Sequence, residues 1–454
     1  MPQDKIVASA SSAVADVPDG ASIAIAGFGV THSFPCTLTV ALRKAGPRHL
    51  RLVANSLGEN ELRSISLVEN DQVDSLVVSF SGRAGGGTSS AERMVADGRL
   101  QLELCPQGTL VERLRAAGAG IGAFFTRTGV NTAIAEGKEV RRLNGVDHVL
   151  ETALPVDYSL IRGFRGDRFG NIQFRGNGAN FMPAFAKAGR VVIVEVDEVV
   201  DEIAPEDVDL PGVFVDRVVR TDLTLPVDFI ASQRKAPTTR ASYDGRPAWS
   251  RAEMAEVAAD MLPDPSYVNL GLGIPTLISN YIDGRDIQLH AENGILGYGE
   301  LAPTDDYDKD IFNAAGEYVR LRPGASFFES VESFEMVRGG HIDVVVLGAY
   351  EVDAEGSIAN WSRPLVGGAI GGAMDLVASG RDVMVMLTHL SSKGRPKLVR
   401  KCGLPLTGAR CVTSVVTDIA AMRRVDDTYV VERVAPGFTR DDVVRMTDFP
   451  LDFA

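Results

Sequence analysis

Two stretches of this 454-residue chain repeat one another. VDYSLIRGFRGDRFGNIQF begins at Val156, and IDVVVLGAYEVDAEGSIANW begins at Ile342. At one fixed offset Asp157 matches Asp343, Asp167 matches Asp353, and Gly170 matches Gly356. Each stretch reads as a strand, a charged turn closed by glycine, and a second strand. Further on lie AGRVVIVEV (from Ala188) and SGRDVMVML (from Ser379), both a small residue, Gly and Arg ahead of a buried strand. Near the start of each half lie AIAGFGVTHSFP and VNLGLGIP. Matched segments in the same order predict two related domains, because a duplicated unit keeps its order of elements.

The apolar runs say which kind of domain. SIAIAGFG (Ser22–Gly29), SLVVSF, VVIVEV, DVVVLGAY and DVMVML are short and rich in β-branched residues, as buried strands are. LTVALRKA and EMAEVAADML carry helical spacing. Strands alternating with helices predict an α/β fold, each domain a mostly parallel sheet flanked by helices. Ala231–Ser250 is polar, holds two prolines and has no apolar period, so it reads as a linker. With 45% apolar residues, the chain can build large cores on both sides of it.

The formal net charge of −14 argues against a general nucleic-acid binder, which needs a basic face. A local basic pocket for a small anion is still compatible with it. Cys36, Cys105, Cys402 and Cys411 form no C-x-x-C pair, so neither a zinc site nor a disulfide framework is expected. No apolar run is long enough to span a bilayer, and the first residues read as neither signal nor transit peptide. A soluble, cytoplasmic chain is the expectation.

Gly27-Phe28-Gly29 and Gly271-Leu272-Gly273 each follow a strand and precede a helix. Such junctions bring bare backbone to a positive helix end, or simply let a helix pack closely on a strand. Neither meets the dinucleotide fingerprint, and SGRAGGGTSS has no Gly-Lys-Ser/Thr phosphate loop. None of the six histidines is spaced as a metal ligand pair, and His290 reads as a packed, hydrogen-bonded residue. LHAENGILGYGE raises a sharper question: Glu292 sits between an apolar approach and a run of glycines. A solvated turn carboxylate is one reading; a reactive carboxylate in a bared pocket is the other.

The motifs taken together resemble the family I CoA-transferases, of the fused succinyl-CoA:3-ketoacid type. The likeness spans nearly the whole chain. The first half carries AGFG, ELCPQGTLVERLRAAGAGIGAFFTRTGV, AEGKE, GNIQF and ANFMPAFAKAGRVVIVEVDEVV. The second carries VNLGLGIPTL, AENGILGYG, PGASFFESVESFEMVRGGHID, IANW, GGAMDLV and KCGLPLTG. The resemblance implies an α-like domain over residues 1–232, a linker over 233–250 and a β-like domain over 251–454. It implies transfer of CoA from an acyl-CoA of succinyl or acetyl type to a carboxylic acid such as a 3-oxoacid, in ketone-body or aromatic-acid catabolism. CoA is then substrate and covalent intermediate, with no permanently bound cofactor and no metal. A homodimer or higher homo-oligomer is also implied.

In the family the glutamate of the E-N-G motif is the nucleophile, which places that role on Glu292. Attack on an activated thioester, return of the thiolate and handover to a second acid make covalent ping-pong chemistry. Each addition step needs oxyanion donors. The resemblance assigns these to Asn55 and the Gly372 N–H, with Gln107 as a further polar site residue. Gly27, Gly29, Gly271, Gly273, Asn293, Gly294 and Gly371 are the expected substrate and CoA contacts, the glycines at Glu292 leaving room for a bulky thioester. Taken alone, Asn55 also reads as a turn residue after a strand.

Some positions depart from the family pattern. Asn313-Ala314-Ala315-Gly316 stands where the family has N-A-G-K, so its lysine is missing. The loop GFGVTHSFP carries His32, one extra residue before Pro35, and Cys36 where an acidic residue is usual. Gly178 replaces an alanine, and the arginine after it is absent. Acyl-CoA hydrolysis on the same scaffold, a non-catalytic acyl-CoA binder, and by fold analogy a sugar-phosphate isomerase are the competing readings.

Overall fold

The computed structural model describes residues 4–29, 33–82, 88–225, 240–303, 305–362 and 367–454. Thr31 and His32 of the altered loop, residues 83–87 of the glycine-rich stretch and residues 226–239 of the linker lie outside the described set.

The first half builds one sheet from β1 (Ser22–Ile25), β2 (Leu50–Ser56), β3 (Val73–Phe80), β4 (Gln101–Leu104), β5 (Val156–Asp167), β6 (Gly189–Val200) and β7 (Arg217–Arg220). These pair in parallel in the order β7-β6-β5-β1-β2-β3-β4. Helices cover both faces, so the strands read as continuous apolar runs. The helix that matters most for the site is α1 (Gln107–Gly118).

The second half builds a wider sheet. Its strands are β8 (Ser266–Leu270), β9 (Ile287–Ala291), β10 (Ile295–Leu301), β11 (Val319–Phe327), β12 (Val344–Gly348), β13 (Asp382–Leu387), β14 (Ser414–Thr417), β15 (Ala420–Val425), β16 (Thr428–Val434) and β17 (Leu451–Phe453). The order is β11-β10-β9-β8-β12-β13-β14-β15-β16-β17. The centre, β9 to β14, is parallel throughout, whereas β9-β10-β11 and β14-β15-β16 are antiparallel. Connection length explains this. Residues 292–294 join β9 to β10 and 418–419 join β14 to β15, too few for a parallel crossover. The helices α2 (Arg251–Met261), α3 (Ser330–Arg338) and α4 (Ala373–Val377) pack on this half.

The repeat is visible atom by atom. Asp157 Oδ2 accepts from the N–H of Ser22 at the start of β1 (3.0 Å), and Asp343 Oδ2 accepts from the N–H of Tyr267 in β8 (2.9 Å). Asp167 Oδ1 takes the N–H groups of Phe169 and Asn171; Asp353 Oδ1 takes those of Glu355 and Ser357. Gly170 (φ 84°) and Gly356 (φ 83°) close the two turns in a left-handed conformation that favours glycine. The strand order β1-β5-β6 recurs as β8-β12-β13.

The described end of the expected linker has structure of its own. Ser242–Tyr243 pairs with Arg246–Pro247 as a small hairpin, and Tyr243 Oη donates to Asp418 Oδ2 (2.8 Å). Ser250 then caps α2 in a reciprocal box with Glu253. The halves share a core: Phe312, Val331 and Phe334 of the second half pack in one buried cluster with Leu110, Leu114, Phe181 and Phe185 of the first.

Candidate active site

Glu292-Asn293-Gly294 is the three-residue turn of the β9–β10 hairpin. The turn reading is therefore right about the backbone, but the carboxylate is not solvated: Glu292 is only 8% exposed. Gly294 has φ 102°, and a Cβ there would lie 2.0 Å from the Phe328 carbonyl oxygen. Its bareness serves this close backbone approach, which is locked by the Phe328 N–H donating to the Gly294 carbonyl (3.1 Å). Asn293 turns inward, its Nδ2 donating to the carbonyls of Phe312 (2.9 Å) and Asn313 (3.3 Å).

Burial pushes the Glu292 carboxyl up to about 7; its own backbone N–H and the Asn269 side chain oppose that rise. His290, two residues earlier, is driven down to about 3 by burial and is neutral. Asn269 Nδ2 donates to His290 Nδ1 (3.0 Å) and to the His290 carbonyl (3.3 Å). The ring proton therefore sits on Nε2, facing Ser333 Oγ at 3.0 Å. His290 is thus an anchor for Asn269 rather than a base.

Glu292 opens into a cavity of ≈450 Å³. Phe80 of the first half and Gly271, Leu272, Gly371, Gly372 and Met386 of the second are among its walls. Gly371 (φ 56°) is pressed against the Phe80 ring, where an added Cβ would meet Cζ at 2.6 Å. The segment carrying it is stitched to the end of β3, with Ile370 N–H donating to the Ser79 carbonyl (3.0 Å). Asn55, in β2, lies opposite Ser79, because Ala54 pairs with Val78 and Ser56 with Phe80. It is a strand residue, not a turn residue.

Gln107 is the first residue of α1, and its backbone N–H donates to the Gly371 carbonyl (2.9 Å). A Cβ on Gly372 would lie 3.3 Å from Gln107 Oε1. Asp375, in α4, holds this junction across the two halves. It accepts from Gly108 N–H (2.8 Å) and Thr128 Oγ1 (3.0 Å), and Arg338 lies 3.5 Å away.

Of the expected residues, Glu292, Gly271, Gly371 and Gly372 line the cavity, and Gln107 meets it through Gly372. Asn55 stands one strand behind. Gly27, Gly29, Gly273, Asn293 and Gly294 are not in its wall. Gly27 packs under Phe34, the Gly29 carbonyl accepts from Arg63 Nη1 (2.7 Å), and Gly273 precedes the 3₁₀ helix Ile274–Asn280. Gly316 closes a tight turn in which Asn313 Oδ1 accepts from Ala315 and Glu317, away from the cavity lining. Asn269 and Asp375 were not singled out from sequence, although they sit inside the motifs VNLGLGIP and GGAMDLV.

A shared property sets these residues apart from scaffold. Asn55 Oδ1, Ser79 Oγ, Gln107 Oε1 and Nε2, Asn269 Oδ1 and Glu292 Oε2 are buried without a hydrogen-bond partner. Folded proteins seldom leave such atoms unpaired, and a cluster of them is a surface prepared for a polar ligand.

Comparison with known proteins agrees over the same residues. The family model described as Coenzyme A transferase matches residues 7–221 and 251–446. The chain is 38% identical over 432 residues to the mitochondrial succinyl-CoA:3-ketoacid coenzyme A transferase 2A of Rattus norvegicus, covering 90% of this chain and 82% of that one. Its second half is similar to one subunit of the 3-oxoadipate CoA-transferase of Pseudomonas putida, at 41% identity over 204 residues, 44% of this chain and 96% of that one. Among solved structures, the acyl-CoA transferase YdiF of Escherichia coli O157:H7 has the same fold, with TM-score 0.79 at 19% identity, covering 100% of this chain and 94% of that one. A turn that buries a carboxylate, a cavity walled by both halves and a family match that runs through each of them have one reading: this chain is an enzyme of the coenzyme A transferase family.

Proposed function

We propose that the enzyme moves CoA from succinyl-CoA, or a similar acyl-CoA, to a 3-oxoacid through a thioester on Glu292. The observation that carries this is the buried Glu292 carboxylate, one oxygen unpartnered, opening into a cavity with Gly371 and Gly372. A carboxyl held near 7 is substantially ionised at neutral pH and is poorly solvated, which favours attack.

The steps balance without a redox partner. A Glu292 oxygen adds to the thioester carbonyl, the C–S bond breaks, and CoA thiolate leaves behind a mixed acyl–glutamyl anhydride. The thiolate adds to the glutamyl carbonyl and expels the first carboxylate. The acceptor carboxylate then attacks the glutamyl thioester and releases the thiolate. That thiolate attacks the new acyl carbonyl, which frees the product acyl-CoA and restores the Glu292 carboxylate. Each addition places negative charge on a carbonyl oxygen. The Gly372 N–H, the Asn55 amide and Gln107 are the groups assigned to stabilise it.

The substrate pair follows the relatives, which are succinyl-CoA:3-ketoacid and 3-oxoadipate CoA-transferases. Support for the intermediate comes from YdiF, one solved structure of which is a thioester complex with CoA. Division into domains 1–232 and 251–454, a homo-oligomeric assembly and a cytoplasmic location belong to the same reading. Among the described residues no helix is long and apolar enough to cross a membrane.

The test is to incubate the enzyme with succinyl-CoA and weigh the intact protein. A CoA-sized adduct on Glu292, without a burst of free CoA and discharged by acetoacetate, is expected. A burst of free CoA would mean hydrolysis, and no adduct would remove the covalent role.

A further inference from the structure

CoA carries several negative charges at its nucleotide end, and this chain carries a net −14. A binding site for that end has to be locally positive. The Glu292 cavity does not end blindly. Tyr350 and Lys397 line both it and a second cavity of ≈920 Å³, so the two adjoin. Lys393, Arg395, Lys397 and Arg445 all line the second one.

The loop that presents these cations is built. Ser391 N–H donates to the Arg395 carbonyl (2.8 Å), Gly394 N–H to the Ser391 carbonyl (2.9 Å), and Lys397 N–H to the His389 carbonyl (3.0 Å). Arg395 N–H also donates to Ser391 Oγ (3.1 Å). Lys397 Nζ donates to Thr388 Oγ1 (2.7 Å), another wall residue of the Glu292 cavity. The acidic groups nearby are largely engaged. Glu351 Oε2 accepts from the N–H groups of Gly403 (2.8 Å) and Leu404 (3.1 Å), and Arg445 pairs with Asp442 (2.6 Å). Among the described residues, exposed Lys393 and Arg395 have no ion-pair partner. A like-charged pair held side by side on a hairpin is unfavourable unless an anion comes between them.

Resting on the reading that Glu292 receives CoA, we infer that the Ser391–Lys397 loop docks the 3′-phospho-ADP end of CoA, with Lys393 and Arg395 on its phosphates. The pantetheine arm then runs past Lys397 and Tyr350 into the apolar Glu292 cavity, where Leu272 and Met386 suit its chain. Shape and charge agree along the path: anionic end on cations, apolar arm in the apolar cavity, thioester at the carboxylate.

The experiment compares wild type with Lys393→Ala/Arg395→Ala and Lys393→Glu/Arg395→Glu. Steady-state transfer is measured with succinyl-CoA and with succinyl-pantetheine, which has no nucleotide; 3′,5′-ADP binding is measured by calorimetry. Each lost phosphate contact costs about tenfold in affinity, so KM for succinyl-CoA should rise by about tenfold to a hundredfold. The acceptor KM should hold, the penalty should fall below about twofold on succinyl-pantetheine, and 3′,5′-ADP should bind wild type only. An unchanged KM for succinyl-CoA, equal losses on both thioesters, or 3′,5′-ADP binding that survives charge reversal would each overturn the assignment. The calorimetry does not pass through Glu292, so a failed covalent reading and a failed nucleotide site give different results.

Discussion

Replacing Glu292 by Gln should abolish transfer and stabilise the fold in alkaline solution. The carboxyl is buried, and its value rises from 4.5 to about 7 on folding. The folded state therefore binds the proton more tightly than the unfolded chain, so stability falls as pH rises from 4.5 through about 7 and is level above that. A shift of about 2.5 units at about 1.4 kcal/mol per unit gives a cost of about 3 kcal/mol at pH 8 and about 1 kcal/mol at pH 5. Glutamine has nearly the same shape and no charge to desolvate, so it escapes this cost. At roughly 2–4 °C per kcal/mol, the variant should melt about 6–12 °C above wild type at pH 8 and close to it at pH 5. Thermal melts of both proteins without CoA across this range, beside a transfer assay, read the two effects together. A variant no more stable than wild type at pH 8, or a gain independent of pH, would refute the claim that Glu292 is held charged in a desolvated pocket. Residual transfer above about a hundredth of wild type would refute its covalent role.

Three further outcomes are expected. Single-turnover thioester formation should slow about tenfold for each pH unit below about 7, because only ionised Glu292 attacks; a rate flat down to pH 5 would contradict the raised value. Asn55→Ala should slow that same step roughly a hundredfold while CoA binding changes little; a lower melting temperature with a normal single-turnover rate would remove Asn55 from the site. Asp375→Ala strips a buried acceptor from Gly108, Thr128 and Arg338 and should cost about 3–5 kcal/mol in denaturant unfolding. Asp375→Asn should recover part of that loss.

What could be read from the chain alone follows contact distance. The duplicated Asp–Gly turns are closed by neighbours four residues away at most, so the repeat was legible as a pattern. Glu292 was legible because its motif is compact. The reason for its glycine was not: Gly294 is shaped by Phe328, a contact that only the folded hairpin creates. Asp375 escaped notice because its partner Gly108 is 267 residues away. The antiparallel flanks of the second sheet lay in connection lengths, which depend on element ends that apolar runs mark poorly. Lys393 and Arg395 look like ordinary surface cations in a row of letters; their meaning comes from the cavity that the fold places beside the Glu292 cavity.

The core shared between the halves bears on how water is kept out. Many enzymes close two lobes like a jaw around the substrate. Here Phe312 and Phe334 are packed with Phe181 and Phe185 across the seam, so swinging the lobes apart would expose aromatic side chains to solvent. The enzyme is better described as a fixed vessel that needs a stopper. The stopper is the substrate: a pantetheine arm anchored by its nucleotide fills the passage between Tyr350 and Glu292 and leaves the glutamyl thioester open only to a carboxylate arriving from within. In such a vessel, fidelity of transfer over leakage to water depends on the length and grip of the CoA tail as much as on the residues at the reacting carbon.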